Sequence, residues 1–68
     1  MVWAPLSEYQ PNVPDKAVRA GFQDGRIVWV ARAFHEGEFL PAKLVQNDPC
    51  AYVCWGGEEH RKQQYEVN

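Results

Sequence analysis

Three charged side chains, Asp24, Glu38 and Lys43, lie at or beside segments that the sequence predicts to be turns. Binding residues collect on such segments because the exposed backbone there can present side chains to a ligand. A carboxylate accepts hydrogen bonds and an ammonium group donates them, so together they can hold adjacent hydroxyl groups, as sugar recognition requires. The alternative is a solvated turn aspartate beside an exposed Lys–Glu pair, which contributes about 0–1 kcal/mol to stability.

Glu59 and His60 are adjacent and offer an acid–base pair, because histidine titrates near neutral pH. We favour a structural interpretation, in which Glu59 pins the turn after Gly57 and His60 packs against an aromatic ring. The order of residues contains no Ser-His-Asp or Cys-His arrangement. A pocket of about 300 Å³ or more is also hard to enclose in one small chain. We therefore expect no catalytic residues and no enzymatic activity.

Cys50 and Cys54 are the only cysteines. On a strand, residues four apart are separated by about 13 Å, at about 3.3 Å per residue. A disulfide needs Cα atoms within about 7 Å, so we expect buried free thiols, with a bridge between two chains as the alternative. Adding His35 and His60 gives no standard spacing of zinc ligands, so we expect no metal site and no cofactor.

Composition indicates one small domain with a modest core. The chain has 68 residues, 46% of them apolar, and a net charge of −2. A domain of this size buries only about 60% of its unfolded surface and often needs a partner subunit. The absence of a basic run argues against nucleic-acid binding, and no apolar stretch approaches the roughly 18 residues of a membrane span. The first residues show no basic region followed by an apolar core, so we expect no classical signal peptide and a cytoplasmic or unconventionally secreted protein.

Turn signals at intervals of about ten residues separate short apolar runs, which predicts an all-β antiparallel chain. The clearest strand is 27–34, preceded by an Asp24-Gly25 hairpin signal. Residues 58–63 are expected to make one helical turn. The other predicted strands are 2–4, 17–22, 39–45 (broken early at Pro41), 50–55 and 65–67.

Residues 27–34 are largely apolar on both faces, which is typical of a strand covered on both sides. We accordingly expect Trp29, Phe34 and Trp55 in the core. An inward-facing Arg32 then needs a buried acidic partner, and the candidates are Glu59 and Glu66.

Several short motifs follow one another along nearly the whole chain. They are Trp3, Pro14 with Ala17-Val18 and Gly21, Val30 to Ala33, His35-Glu36-Gly37, Pro41-Ala42-Lys43, Gly56 to His60, and Tyr65 to Val67. This ordered set resembles the natterin-type repeat, also called DM-nine. Ala42 departs from the glycine usual in the family, and Cys54-Trp55 stands where a proline and an aromatic residue are more common. We assign residues 1–68 to a single repeat.

The resemblance implies a β-sandwich-like fold and, for the molluscan members, a mannose-binding lectin of innate recognition. Other members are parts of fish toxins or intracellular proteins, so the fold alone does not decide the function. Carried over from the lectins of the family, the sugar-binding residues are Lys43 and either Asp24 or Gln23, with Glu38 as a third ligand. Characterised members usually carry two copies in tandem, so we expect two chains to pair and complete the fold.

Two functional hypotheses follow. The first is a homodimeric lectin for mannose or mannose-containing glycans, with two sites per dimer that allow agglutination by avidity. The second is an intracellular protein-interaction module without a sugar ligand, suggested by the paired acidic residues Glu58-Glu59 and by the missing signal peptide.

Overall fold

The computed structural model describes residues 2–10 and 12–68. Its strands form one antiparallel sheet, which confirms the all-β antiparallel prediction. The described residues contain no helix, and so none that could cross a membrane. The seven strands are β1 Ala4–Ser7, β2 Arg19–Gln23, β3 Arg26–His35, β4 Glu38–Val45, β5 Ala51–Trp55, β6 Glu58–Lys62 and β7 Gln64–Val67.

Two-residue hairpin turns fix the register of the central strands. Between β2 and β3, Asp24 and Gly25 have φ of 53° and 77°. This combination of two positive φ values defines the turn that best matches strand twist, and glycine adopts it without steric cost. Residues 36–37 and 56–57 join β3 to β4 and β5 to β6 in the same way. The predicted Asp-Gly hairpin is therefore confirmed.

β3 is the central strand of the sheet, whose strands follow the order β1-β7-β3-β4-β5-β6, with β2 as a further neighbour of β3. Along one side β3 pairs with β4, and along the other residues 26–29 pair with β2 and residues 31–32 with β7. Only Gln63 separates β6, which pairs with β5, from β7, which pairs with β1 and β3. A bend at Gln63 thus carries the chain from the β5 side of the sheet to the β7 side, and β1 and β6 are the ends of the strand order.

The enclosed core consists mostly of small side chains. Its buried members are Ala31, Ala33, Leu44, Ala51, Val53, Tyr65 and Val67, and Trp29 packs partly against them. Phe34 and Trp55 remain 55% and 41% exposed, so their predicted core positions are wrong. Phe34 lies on the face of β3 opposite the buried Ala31 and Ala33, and that face is only partly covered. Trp55 is the last residue of β5, next to the exposed 56–57 turn.

Three predicted elements differ from the observed ones. β4 runs unbroken through Pro41, which pairs with Arg32. The pairing of β4 with β5 covers only residues 42–44, so the proline lies where β4 has one neighbouring strand and a missing donor is tolerated. Residues 58–62 are strand β6 rather than a helical turn, because the 56–57 hairpin returns the chain along β5. The first strand is 4–7, later than the predicted 2–4.

Candidate functional site

Lys43 lies on the outward face of the sheet, in the middle of a row that crosses four strands. The row is Val30, Lys43, Tyr52 and Arg61, which are register partners on β3, β4, β5 and β6. Register partners in an antiparallel sheet point to the same face. Leu44, the next residue of β4, is buried in the core, so Lys43 must project to the outside.

Gln23 reaches the same face from the end of β2. It pairs with Arg26, which alternates along β3 with Val28 and Val30 and so shares their outward orientation. These residues meet in an open depression of about 360 Å³ that we call the Lys43 depression. It is lined by Gln23, Arg26, Lys43, Val45, Asp48, Tyr52 and Glu59.

Asp48 holds one wall of the Lys43 depression in place. Its Oδ1 accepts the backbone N–H of Cys50 at 3.1 Å, a local bond that fixes the carboxylate at the start of β5. Its carboxylate also accepts from the Tyr52 hydroxyl; this hydrogen bond, followed by burial, raises the pKa of Tyr52. The hydrogen bond orients the phenol ring in the Lys43 depression.

The lining offers donors and acceptors of both signs around one space. Lys43 and Arg26 donate, Glu59 and Asp48 accept, and the Gln23 amide does both. Among the described residues the two ion pairs are Arg32–Glu66 and Arg61–Glu8, so the charges of this depression are not consumed by ion pairs. Such a set suits a neutral ligand that carries several hydroxyl groups.

The four predicted ligands do not all meet. Gln23 and Lys43 share the depression. Asp24, the residue after Gln23, lies in the turn between β2 and β3 and is not part of the lining. Glu38 pairs with His35 at the far end of β4. It is five residues from Lys43, about 16 Å along the strand, and an odd separation directs it to the opposite face.

Sequence reasoning missed Arg26, Asp48, Tyr52 and Glu59. A signal for Tyr52 was present, because alternation in 50–55 places it opposite the apolar Ala51 and Val53. Asp48 was seen only as part of a turn. Asp48 comes close to Lys43 because β4 pairs with β5, and this pairing cannot be read from the sequence.

Glu59 and His60 cannot act as a pair on one ligand, because they are consecutive on β6 and face opposite sides. Glu59 lines the Lys43 depression. The His60 ring packs on His35 with centroids 4.7 Å apart, and His35 packs edge-on against Trp55 at 5.8 Å. His60 thus packs against a ring, as predicted.

Both cysteines are free, as predicted, but only Cys50 is buried and Cys54 is exposed. The Cys50 Sγ lies 3.2 Å from Glu8 Oε2 and accepts from Arg61 Nε at 3.1 Å. Burial, aided by the Glu8 carboxylate, raises the pKa of this thiol. In the described parts of the chain no three His, Cys, Asp or Glu side chains gather as a metal would require.

Of the two candidate partners of Arg32, Glu66 is the one that it contacts, but the predicted inward orientation is wrong. Arg32 Nε donates to Glu66 Oε1 at 2.6 Å, but the pair faces outward, with side chains 32% and 26% exposed. The guanidinium lies between two rings, 4.3 Å from the centroid of Trp3 and 4.4 Å from that of Phe39. These contacts partly cover the Arg32 guanidinium, which we expected from the sequence to face the core.

Comparison with known proteins identifies the family. No curated protein and no solved structure matches the chain significantly. The profile described as DM9 repeat matches residues 22–68, which is more than half of the chain and extends from β2 through β7. The match includes Gln23 and Lys43, and the chain belongs to the DM9 repeat family.

Proposed function

We propose that this chain is a carbohydrate-binding lectin that holds mannose, or the mannose units of a glycan, in the Lys43 depression. The observation that carries the proposal is the meeting of Gln23 and Lys43 in one open depression. The family supports it, because the DM9 repeat is known for lectin-like carbohydrate binding. The chain would bind its ligand without converting it.

Each side chain has a defined part in binding. The Lys43 ammonium donates to two neighbouring sugar oxygens, and the Gln23 amide donates to one and accepts from another. Glu59 and Asp48 accept from hydroxyl groups, and bonds to charged partners are about twice as strong as neutral ones. The Tyr52 ring supplies an apolar wall. The depression is open to solvent, so we expect modest affinity for a single sugar.

Modest affinity makes pairing of two chains useful. We propose a homodimer, in which two Lys43 depressions bind the same glycan-coated surface and gain avidity without new contacts. The small size of the domain favours such pairing. Agglutination in innate recognition would be the biological use. Sedimentation equilibrium at micromolar concentration measures the association directly, and a strictly monomeric protein would remove this part of the proposal.

The test is a calorimetric titration of the purified protein with mannose and with galactose. We expect saturable binding of mannose, and Lys43→Ala should weaken it by at least about tenfold, or about 1.4 kcal/mol. Lys16→Ala is the matched control, because Lys16 is exposed and lies outside the Lys43 depression. Full mannose affinity in folded Lys43→Ala would refute the site. A folded wild-type chain that binds no sugar would refute the lectin and favour the protein-interaction module.

A further inference from the structure

A second depression, of about 460 Å³, lies toward the other end of β3 and β4. Phe34 and Phe39 form one wall and are 55% and 51% exposed. Their rings meet edge to face, with centroids 5.3 Å apart and planes at 72°. We call this depression the aromatic groove; its lining also includes Pro5, Ser7, Gln10, Gln64 and Glu66.

The aromatic wall is supported by Arg32 on the same face of the sheet. The Arg32 guanidinium stacks on Phe39 at 4.4 Å and is itself fixed by Glu66 at 2.6 Å. Phe39 and Phe34 are register partners on β3 and β4, so the backbone sets their separation. Two aromatic rings left half-exposed on a supported surface are typical of a binding site. No reordering of the wall is needed when a ligand arrives, which lowers the entropic cost of binding.

The chemistry of the aromatic groove fits a neutral ligand with both apolar and hydroxyl faces. The half-exposed rings offer apolar surface to the C–H side of a sugar, while the amides of Gln10 and Gln64 and the hydroxyl of Ser7 can bond its hydroxyl groups. The charge of Glu66 is matched by Arg32. A charged peptide would therefore find no opposite charge to pair with, whereas a saccharide needs none.

The two depressions each take one lining residue from the outward face of β4, Phe39 in the aromatic groove and Lys43 in the other. Phe39, Pro41 and Lys43 alternate on the strand and so point to the same outward face. Phe39 and Lys43 are four residues apart, or about 13 Å at about 3.3 Å per residue. A short linear oligosaccharide spans this distance, while a single hexose does not.

We propose that the aromatic groove is a second saccharide subsite, and that the ligand of this chain is an oligosaccharide that occupies both depressions. This inference rests on the proposed function, because it places the first sugar unit at Lys43. It specifies the class of ligand, a linear glycan rather than a free hexose, and it assigns Phe34 and Phe39 to ligand binding.

The test compares mannose with linear mannopentaose by calorimetry. We expect the wild-type chain to bind mannopentaose at least about tenfold more tightly than mannose, which is about 1.4 kcal/mol. Phe34→Ala should abolish that gain and leave the affinity for mannose unchanged. Phe22→Ala is the matched control, because Phe22 is 71% exposed and lies on β2, outside the aromatic groove. It should retain the whole gain.

The outcomes separate the two proposals. Mannose binding without a gain for mannopentaose, or an undiminished gain in folded Phe34→Ala, overturns the second subsite and leaves the lectin intact. Absence of any binding by the wild-type chain overturns both. Amide-resolved NMR of the wild-type chain gives an answer that does not depend on any variant folding. Mannopentaose should shift the side-chain amides of Gln10 and Gln64, whereas mannose should shift only that of Gln23.

Discussion

Arg32 Nε lies 2.6 Å from Glu66 Oε1, and this contact joins β3 to β7 at a position where the two strands pair. The same guanidinium covers the rings of Trp3 and Phe39. One side chain therefore links the segment before β1 to three strands. Its role is structural, because it lies away from the Lys43 depression.

Arg32→Ala should lower the free energy of unfolding by about 1–2 kcal/mol, because it removes a half-exposed ion pair and two cation–π contacts. The affinity for mannose should not change. Urea denaturation measures the first and calorimetry the second. Arg19→Ala is the control, since Arg19 is exposed on β2. An unaltered unfolding midpoint in Arg32→Ala would show that the contact contributes nothing.

Glu38 and Gln23 should behave differently when replaced. Gln23→Ala should weaken mannose binding several-fold, because it removes an amide from the Lys43 depression. Glu38→Ala should leave mannose affinity within about twofold, because that carboxylate points to the other face about 16 Å from Lys43. Both side chains are exposed, so neither change should alter folding. If Glu38→Ala lost affinity for mannose and Gln23→Ala did not, the sugar would bind at the other end of β4.

The strands were predictable because each follows a local rule. Alternation indicated β3, a short apolar run indicated β5, and the Asp24-Gly25 step located a hairpin. The strand order was not predictable, because β7 pairs with β3, a strand distant from it in sequence. For the same reason the apolar outer face of β3 was read as core. Lys43 was singled out by its charge near a predicted turn and by the family motif, and Gln23 by the family motif alone. Tyr52 joins them only through the pairing of β4 with β5, and Asp48 through the turn between those strands.

The two thiols should react at very different rates. Cys54 is exposed, whereas Cys50 is buried and its pKa is raised by burial and by the Glu8 carboxylate. Because the thiolate is the reactive form, a thiol reagent at neutral pH should modify one cysteine per folded chain and two in denaturant. Cys54→Ser should abolish the reaction of the folded chain. Equal rates for both thiols in the native protein would contradict the burial of Cys50.

Tyr65 should make the fold sensitive to alkali. It is 3% exposed and donates to the Pro49 carbonyl at 2.5 Å, and burial raises its pKa to about 12. The pKa in an unfolded chain is about 10, so the folded state binds the phenol proton more tightly. Its stabilising contribution is fully present below about pH 10 and is lost as the pH rises towards 12, by about 3 kcal/mol in all.

Tyr65→Phe isolates this ionisation. The variant keeps the ring in the core but leaves the Pro49 carbonyl without its donor, which should cost about 1 kcal/mol at neutral pH. Between pH 10 and 12 its free energy of unfolding should fall less steeply than that of the wild type, because one proton-linked group is gone. Urea titrations at a series of pH values measure both slopes. Parallel slopes would mean that alkaline unfolding is governed by other groups, such as Tyr52 and Cys50, whose pKa values are also raised.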